Sequence, residues 1–536
     1  MLHALNLHWL KRFVTKPSDR RAFIFSFVLG FVIRLIPELL SYPNPIGFDT
    51  VYYAARVKSG VFWSGWTSIF SMWLFEGVLI AVDKVVQMDP FLLLKLAVPL
   101  LYGLNVCGIY HFSRKALNWS TKTALIATFF FAFQLASLRM SWDLHRNMLG
   151  SAVLLFTLPL IRRVDSKKNF AVLLTLSILL VLSHILVWAV LFAVVLATFI
   201  NDWLKNERLK SLKLLAAVLP AFAVLLISLF VFPPAAYIQE NVIASEDTVH
   251  QSPGGVFFLV NYLSVSDAVQ NYPSYLDLVL HVFSLFSVLY LWWLPLVLVG
   301  LFRDKILDGW ILLLLLGSFD ALITPFCALD LWSRWMFMMV YPFTFYAING
   351  VEKLSKFGGK SVLFGFGWLN WIKVTRKTAL KIFSVTIVLG SIFLTLPPFF
   401  DRFGVFSIPT TISYLPSTMQ YNTIPLRDVK PTVEVVEWLN ENMNDGSSVL
   451  VHHAFFWWAD LYLDKRHVIV DFVKDFERAL DVALERSFNP IYLVWWNQDY
   501  LTWQNQSIGW YGLTVPKYFK YVFSCDRISV FRYSTD

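Results

Sequence analysis

The sequence predicts a polytopic α-helical membrane protein of about eleven transmembrane helices, closed by a small α/β domain at its C-terminal end. Three observations carry this expectation. Hydrophobic residues make up 57% of the 536 residues and charged ones only 15%, where a soluble chain would hold roughly a quarter charged; the mean hydropathy is +0.59. Long apolar runs alternate with short loops rich in Lys and Arg, the pattern of cytoplasmic loops under the positive-inside rule. From about residue 428 the spans give way to alternating helix and strand. The net charge of +9 is therefore loop charge, and no nucleic-acid partner is expected.

The first span runs over residues 22–40, behind Lys11, Arg12, Lys16, Arg20 and Arg21. It is too long for the apolar part of a cleavable signal, so it reads as a signal anchor with its N-terminus inside. Residues 41–65 then form an external loop. The apolar run 66–82 contains Glu76 and is rich in Trp and Phe; it reads as a juxtamembrane or re-entrant helix. The reason is charge parity: Arg114, Lys115 and Lys122 flank the end of span 91–111, which must then travel inward. Spans 122–138 and 147–162 follow, then two short spans within 169–200, with His184 near their turn. Spans 211–232, 277–301, 309–326, 334–350 and 382–398 complete the set. Residues 1–400 thus form the membrane domain, with external loops 41–90 and 233–276, and 401–536 a linker and an external α/β domain. In that domain a helix from Val433 to Met443 precedes strands Ser448–His452, His467–Asp471 and Ile491–Trp495.

Cys107, Cys327 and Cys525 lie far apart, with neither metal-type spacing nor a framework of pairs. Asn505-Gln506-Ser507 is a glycosylation acceptor sequence on the predicted external side.

Four polar clusters converge on that side. Asp49 follows the first span, in Gly47-Phe48-Asp49-Thr50-Val51-Tyr52-Tyr53. A carboxylate at the membrane edge is costly unless a cation or water satisfies it; its plain alternative is to cap the helix starting near Thr50. Asp143 and His145 stand two apart in Met140-Ser141-Trp142-Asp143-Leu144-His145-Arg146. With Asp49 they make a carboxylate–carboxylate–imidazole set suited to Mn²⁺ or Mg²⁺, and chemically open to Zn²⁺. The alternative is that Arg146 simply pairs with Asp143. The long external loop supplies Glu246 and Asp267, and the residues do not choose between them. Arg334 opens a span, where a permanent guanidinium suits a phosphate or carboxylate ligand or else snorkels to headgroups.

Together these stretches resemble the oligosaccharyltransferase catalytic subunit, whose members include archaeal AglB and bacterial PglB. Gly47 to Arg56 is similar to that family's first-loop motif, and Asp143-Leu144-His145 to its Asp-x-His form. Ser264-Val265-Ser266-Asp267 is similar to a Ser-Val-Ser-Glu-like loop motif. Phe455-Phe456-Trp457-Trp458-Ala459-Asp460 resembles its Trp-Trp-Asp-Tyr-Gly, with an extra Ala and without the Tyr-Gly. The resemblance implies the GT-C fold, an archaeal-type cell-membrane location, and a polyprenyl- or dolichyl-phosphate-linked sugar donor. Asp49, Asp143, Asp267 and Glu246 would be catalytic, and Asp49, Asp143 and His145 would hold Mn or Mg. Arg334 and Arg146 would bind the donor phosphate, while Trp457, Trp458 and Asp460 would grip the acceptor, most simply a protein asparagine. The short C-terminal domain keeps a glycan or other non-protein acceptor open. A transporter would show internal repeats and helices broken at the midplane, which the sequence does not suggest. A binding scaffold would not need Asp49.

Overall fold

The computed structural model describes residues 18–60, 69–228, 242–244, 275–323, 331–356, 362–366, 369–398, 415–472, 476–497 and 515–534. Glu246, Asp267, Cys327 and Asn505 lie outside these residues, as does the N-terminal basic segment up to residue 17.

Most of the described chain is helical. Helix α1 (Asp19–Leu40) packs along α4 (Pro90–Lys115), and α4 packs on α7 (His145–Ile161). These elements start where the sequence supplies caps: Ser18 accepts from Arg21 N, and Asp89 accepts from Leu92 N ahead of Pro90 at the first turn. Exposed residues recur every fourth position: Ile24, Val28 and Val32 on α1, and Leu92, Leu96, Leu100 and Leu104 on α4. Such stripes suit lipid, where the helix satisfies its own backbone and apolar side chains meet hydrocarbon.

Five helices are long and apolar enough to cross a membrane: α1, α4, α9 (Ile185–Leu204), α10 (Arg208–Leu226) and α16 (Arg376–Thr395). Two bent pairs raise the number to seven if each is one span. Thr121–Ala132 (α5) and Leu135–Asp143 (α6) meet at 60°, and Leu278–Leu291 and Leu294–Gly300 (α12) meet at 71°. Length and composition therefore single out five to seven spans among the described residues, where the sequence suggests about eleven over the whole chain. The expected span 122–138 is broken at Phe133-Gln134, and its second half, α6, carries the chain onward to Asp143. The run 169–200 divides as anticipated at His184, into α8 (Lys167–Ser183) and α9. Helix α3 (Leu74–Val86) has 13 residues. That is about 20 Å of helix, too short for a hydrocarbon core about 30 Å thick, in keeping with a helix that does not cross.

The helices α13 (Lys305–Phe319), α14 (Leu331–Met338) and α15 (Val340–Lys356) complete the bundle. Helices α12 and α15 cross so closely that a Cβ on Gly300 would fall 1.7 Å from the Tyr346 carbonyl oxygen. Only glycine permits that approach. The Tyr290 hydroxyl donates to the Met336 and Phe337 carbonyls at 2.6 and 3.2 Å, satisfying backbone where α14 ends.

The C-terminal part is an α/β unit. Its sheet has the order β1-β5-β4-β6-β8-β7. Strands β4 (Ser448–His452), β5 (Val468–Phe472) and β6 (Ile491–Trp496) fall where the sequence places them and run parallel; β7 (Phe519–Cys525) and β8 (Ile528–Tyr533) are antiparallel additions. The long loop after α10 contributes β1 (Val242–Ala244), parallel to β5 with Ala244 opposite Asp471. Helix α17 (Val429–Asn442) and α18 (His453–Tyr462) flank the sheet. Helix α18 packs on α2 (Thr50–Ser59): Lys58 Nζ donates to the Leu461 carbonyl at 2.8 Å, and Phe91 of α4 meets Trp458 with ring centroids 5.8 Å apart. One apolar core thus runs from Tyr53 and Phe75 through Phe91 and Trp458 into the sheet.

Candidate active site

The two acid motifs meet because a third segment holds them. The Tyr421 carbonyl accepts the Gly47 amide at 2.8 Å and the Trp142 indole at 3.1 Å. Asn422 adds a bond from its side-chain amide to the Pro45 carbonyl, 2.8 Å. Gly47 has φ +98°, and a Cβ there would stand 2.0 Å from the Trp142 carbonyl oxygen. Both the left-handed backbone and the contact require glycine, which explains why Gly-Phe-Asp reads as a unit. It brings Asp49 beside Asp143.

Asp49 occupies the N-cap position of α2 but makes no side-chain capping bond, so the capping alternative does not describe it. Half-buried, it has no hydrogen-bond donor among the described residues. Burial and the neighbouring Asp143 charge push its carboxyl up to about 7, while Arg334, Arg146 and Arg139 act in the opposite sense. This is a carboxylate poised near neutrality and surrounded by arginines.

Asp143 is buried and does form an ion pair, but with Arg139 one helical turn earlier on α6 rather than with Arg146. The Arg139 guanidinium also lies over Trp142 and Phe337, 4.8 and 5.0 Å from their ring centres. Arg146 instead donates through Nε to Glu76 at 2.7 Å and through Nη2 to the Tyr52 hydroxyl at 2.8 Å. Glu76, from the short helix α3, is fully buried and supplies the counter-charge. Arg334, half-buried on α14, is near enough to act on both Asp49 and Asp143 yet pairs with neither. Among the described residues it has no ion-pair partner.

Beneath this layer lies a network centred on Glu38. Arg34 pairs with Glu38 at 2.8 Å, and Lys95 donates to the Glu38 carboxylate at 3.0 Å and to Ser41 Oγ at 3.1 Å. Arg34 Nε donates to the Ser141 carbonyl at 3.1 Å, two residues before Asp143. The outer part of α1 therefore supports the end of α6.

His145 is not assembled with the two carboxylates. It starts α7 after a break at Leu144. Its ring lies against Tyr53 and Phe75, with centroids 5.1 and 5.7 Å away, and Nε2 is 3.5 Å from Thr50 Oγ1. Among the described residues no three His, Cys, Asp or Glu side chains come together as a metal would need. Asp143, moreover, already faces Arg139. The residues present thus do not fit the expected three-ligand Mn or Mg site.

The acceptor residues also divide. Trp458 is fully buried and donates its indole N–H to Thr423 Oγ1 at 3.0 Å. Asp460 is buried and held by Lys465 at 2.8 Å. Both are parts of the core, because α18 turns their side chains toward the sheet and the Thr423 segment. Trp457 alone is half-buried and faces the site, 4.7 Å from Tyr52 in an edge-on contact. Arg139 and Tyr421 do not stand out in the sequence, and Glu76 and His184 appear there only as a charge in an apolar run and a residue near a turn.

No protein-family model matches the sequence, and no curated protein matches it. Comparison of structures, by contrast, gives the chain the fold of the GT-C membrane glycosyltransferases. It overlays on apo ArnT from Cupriavidus metallidurans with a TM-score of 0.50 at 12% identity, covering 96% of this chain and 98% of ArnT. The mycobacterial arabinofuranosyltransferase AftD gives a TM-score of 0.51 at 11% identity over 98% of this chain, which spans 40% of AftD. The fold and the apolar helices together describe an integral membrane protein.

Proposed function

We propose that the protein is a membrane glycosyltransferase that moves a sugar from a polyprenyl- or dolichyl-phosphate-linked donor to an acceptor on the membrane face carrying Asp49. The carrying observation is that Asp49 and Arg334 lie in each other's field while neither has an ion-pair partner among the described residues, in a GT-C fold. Asp49 orients the acceptor O–H or N–H and takes its proton. The acceptor atom bonds to the anomeric carbon from the side opposite the phosphate. The carbon–oxygen bond to phosphate breaks, and the electron pair leaves with the prenyl phosphate. The anomeric configuration inverts. Arg334 and Arg146 face the leaving phosphate and offset its growing charge, typically the largest single contribution to catalysis. No step here passes through a metal, since the donor set for one is not assembled.

For the acceptor, the burial of Trp458 and Asp460 favours a hydroxyl of a glycan or lipid-linked glycan over a protein asparagine. The neighbours are consistent with this choice only through their fold. The test is an assay in membranes with prenyl-phosphate-linked sugars, offering an Asn-x-Thr peptide and a lipid-linked glycan in parallel, with and without EDTA. Transfer to the glycan, changed less than about twofold by EDTA, is expected. Transfer to the peptide would reinstate the asparagine acceptor, and loss of turnover in EDTA would reinstate the metal. No donor turnover by folded protein would refute the enzyme reading.

A further inference from the structure

The C-terminal sheet carries an imidazole–carboxylate pair that nothing in the reaction just described uses. Strands β4, β5 and β6 run parallel, so their carboxyl ends fall on one edge, where open parallel sheets take their ligands. His453 follows the end of β4 and Asp471 stands near the end of β5, with His453 Nδ1 2.9 Å from Asp471 Oδ2. Asp471 is held firmly, because β5 is paired on both sides, with β4 at Val451 and with β1 at Ala244. Its side chain is 7% exposed and that of His453 33%. An ionised carboxylate only accepts, so Nδ1 donates to it, and in the neutral ring Nε2 is then the acceptor. A nearly buried carboxylate thus fixes the tautomer and angle of an imidazole that solvent still reaches.

A row of rings ties this imidazole to the Asp49 side. It stacks on Phe456 at 5.9 Å with the planes 3° apart; Phe456 meets Trp457 at 4.5 Å, and Trp457 meets Tyr52 at 4.7 Å. The row has a direction. Tyr52, near the start of α2, touches Trp457, while Lys58, near its end, bonds to the Leu461 carbonyl and lies over Tyr462. The two helices therefore run side by side in the same sense. His453, one turn before Trp457 on α18, stands toward the end of α2 that Asp49 opens. Tyr52 and Trp457 are half-buried, and Arg146 fixes the Tyr52 hydroxyl at 2.8 Å. Ring surface beside one oriented nitrogen acceptor suits a sugar, whose apolar C–H face lies on the rings while a hydroxyl donates to Nε2.

We infer that His453, oriented by Asp471, binds the acceptor sugar through a hydroxyl other than the one that reacts, with Trp457 against the sugar's apolar face. This rests on the glycan acceptor proposed above and gives the C-terminal domain its share in choosing it. The experiment uses the full-length protein in nanodiscs, a prenyl-phosphate-linked sugar as donor, and octyl glycosides of mannose, glucose and galactose as acceptors. Wild type is compared with His453→Ala, His453→Phe and His453→Gln on the glycoside that wild type uses best. The expected result for H453A and H453F is a KM for the glycoside raised about tenfold, with kcat and the KM for donor within about twofold of wild type. H453F keeps a ring on Phe456 and loses only the nitrogens. H453Q places an amide oxygen near the Nε2 position and stays within about threefold of wild type.

A wild-type KM for the glycoside in H453A or H453F overturns the inference, as does a glutamine variant as weak as alanine. An equal rise in the KM for donor overturns it too, by showing a structural role. Release of sugar to water without transfer to any of the glycosides removes this acceptor site and leaves the enzyme reading standing. No donor consumption by folded wild type removes both.

Discussion

Two charged layers lie one above the other in this protein and behave in opposite ways. In the lower one, Arg34, Lys95 and Ser41 are buried and gathered about Glu38, with contacts of 2.8 to 3.1 Å and Arg34 Nη2 alone left without an ion-pair or hydrogen-bond partner among the described residues. In the upper one, Asp49 and Arg334 face one another's field without pairing, and burial beside Asp143 pushes the Asp49 carboxyl up to about 7. Bonded networks give rigidity, and removing one member strands the rest. Open ones carry an electrostatic penalty in the resting protein and offer charge to a ligand. The contrast separates the residues that hold the site from those that act in it. It can be broken by substitutions whose effects fall on activity alone or on stability alone.

The largest expected effect is on turnover. Asp49→Asn removes the base and should lower kcat by about 10²- to 10⁴-fold with no loss of thermal stability. Removing a half-buried, unpaired acid relieves the fold rather than weakening it. Gly47→Ala should also abolish turnover, by displacing Asp49 from Asp143, since the new Cβ would meet the Trp142 carbonyl. Donor binding through Arg334 should persist in that variant, measurable with a fluorescent prenyl phosphate.

Glu38→Gln gives the opposite signature. Leaving Arg34 and Lys95 without their shared anion should cost about 3–5 kcal/mol of stability, read as a lowered unfolding temperature in detergent. The protein that remains folded should turn over donor at near the wild-type rate. A stable but inactive E38Q protein would move the lower layer into the chemistry.

The smallest effect is the most specific. The Asp49 carboxyl is raised, so its proton-accepting form grows as pH rises, and kcat/KM should climb through about pH 7 before levelling. The sign for stability is reversed. The folded state holds this proton up to about 7 and the unfolded chain releases it near the ordinary value of 3.8, so the contribution is full at low pH and is lost as pH rises between them. In Asp49→Asn the climb should disappear from whatever rate remains.

How much of this was readable from sequence follows from the range of each interaction. Asp49, Asp143 and Arg334 stand out because charge beside apolar runs is costly wherever it falls, and that is visible locally. The buried strands of the C-terminal domain were also visible, as short apolar runs separated by a helix. The partner of Asp143 was hidden by the break at Gln134: a turn over 140–146 puts Arg146 next to it, whereas the actual helix α6 puts Arg139 there. His145 seemed a ligand by its spacing from Asp143, but Leu144 separates two helices and sends the imidazole toward Tyr53 and Phe75. Trp458 and Asp460 were misplaced for the same reason, since a helix α18 alternates faces that a motif does not show. The Tyr421 staple and strand β1 join segments far apart in the chain, and three residues such as Val242–Ala244 carry no periodicity. Apolar runs led to a count of eleven spans; run length shows neither the two sharp bends nor which helices are long enough to cross.

The most direct test of the central claim is a paired measurement on wild type and Asp49→Asn in the same membranes. Donor binding is read by prenyl-phosphate competition, and donor consumption by release of free prenyl phosphate in a single turnover. The open layer predicts equal binding and a turnover at least about a hundredfold slower in the variant. Equal turnover in the two proteins would contradict it, and would return Asp49 to the role of an ordinary loop acid.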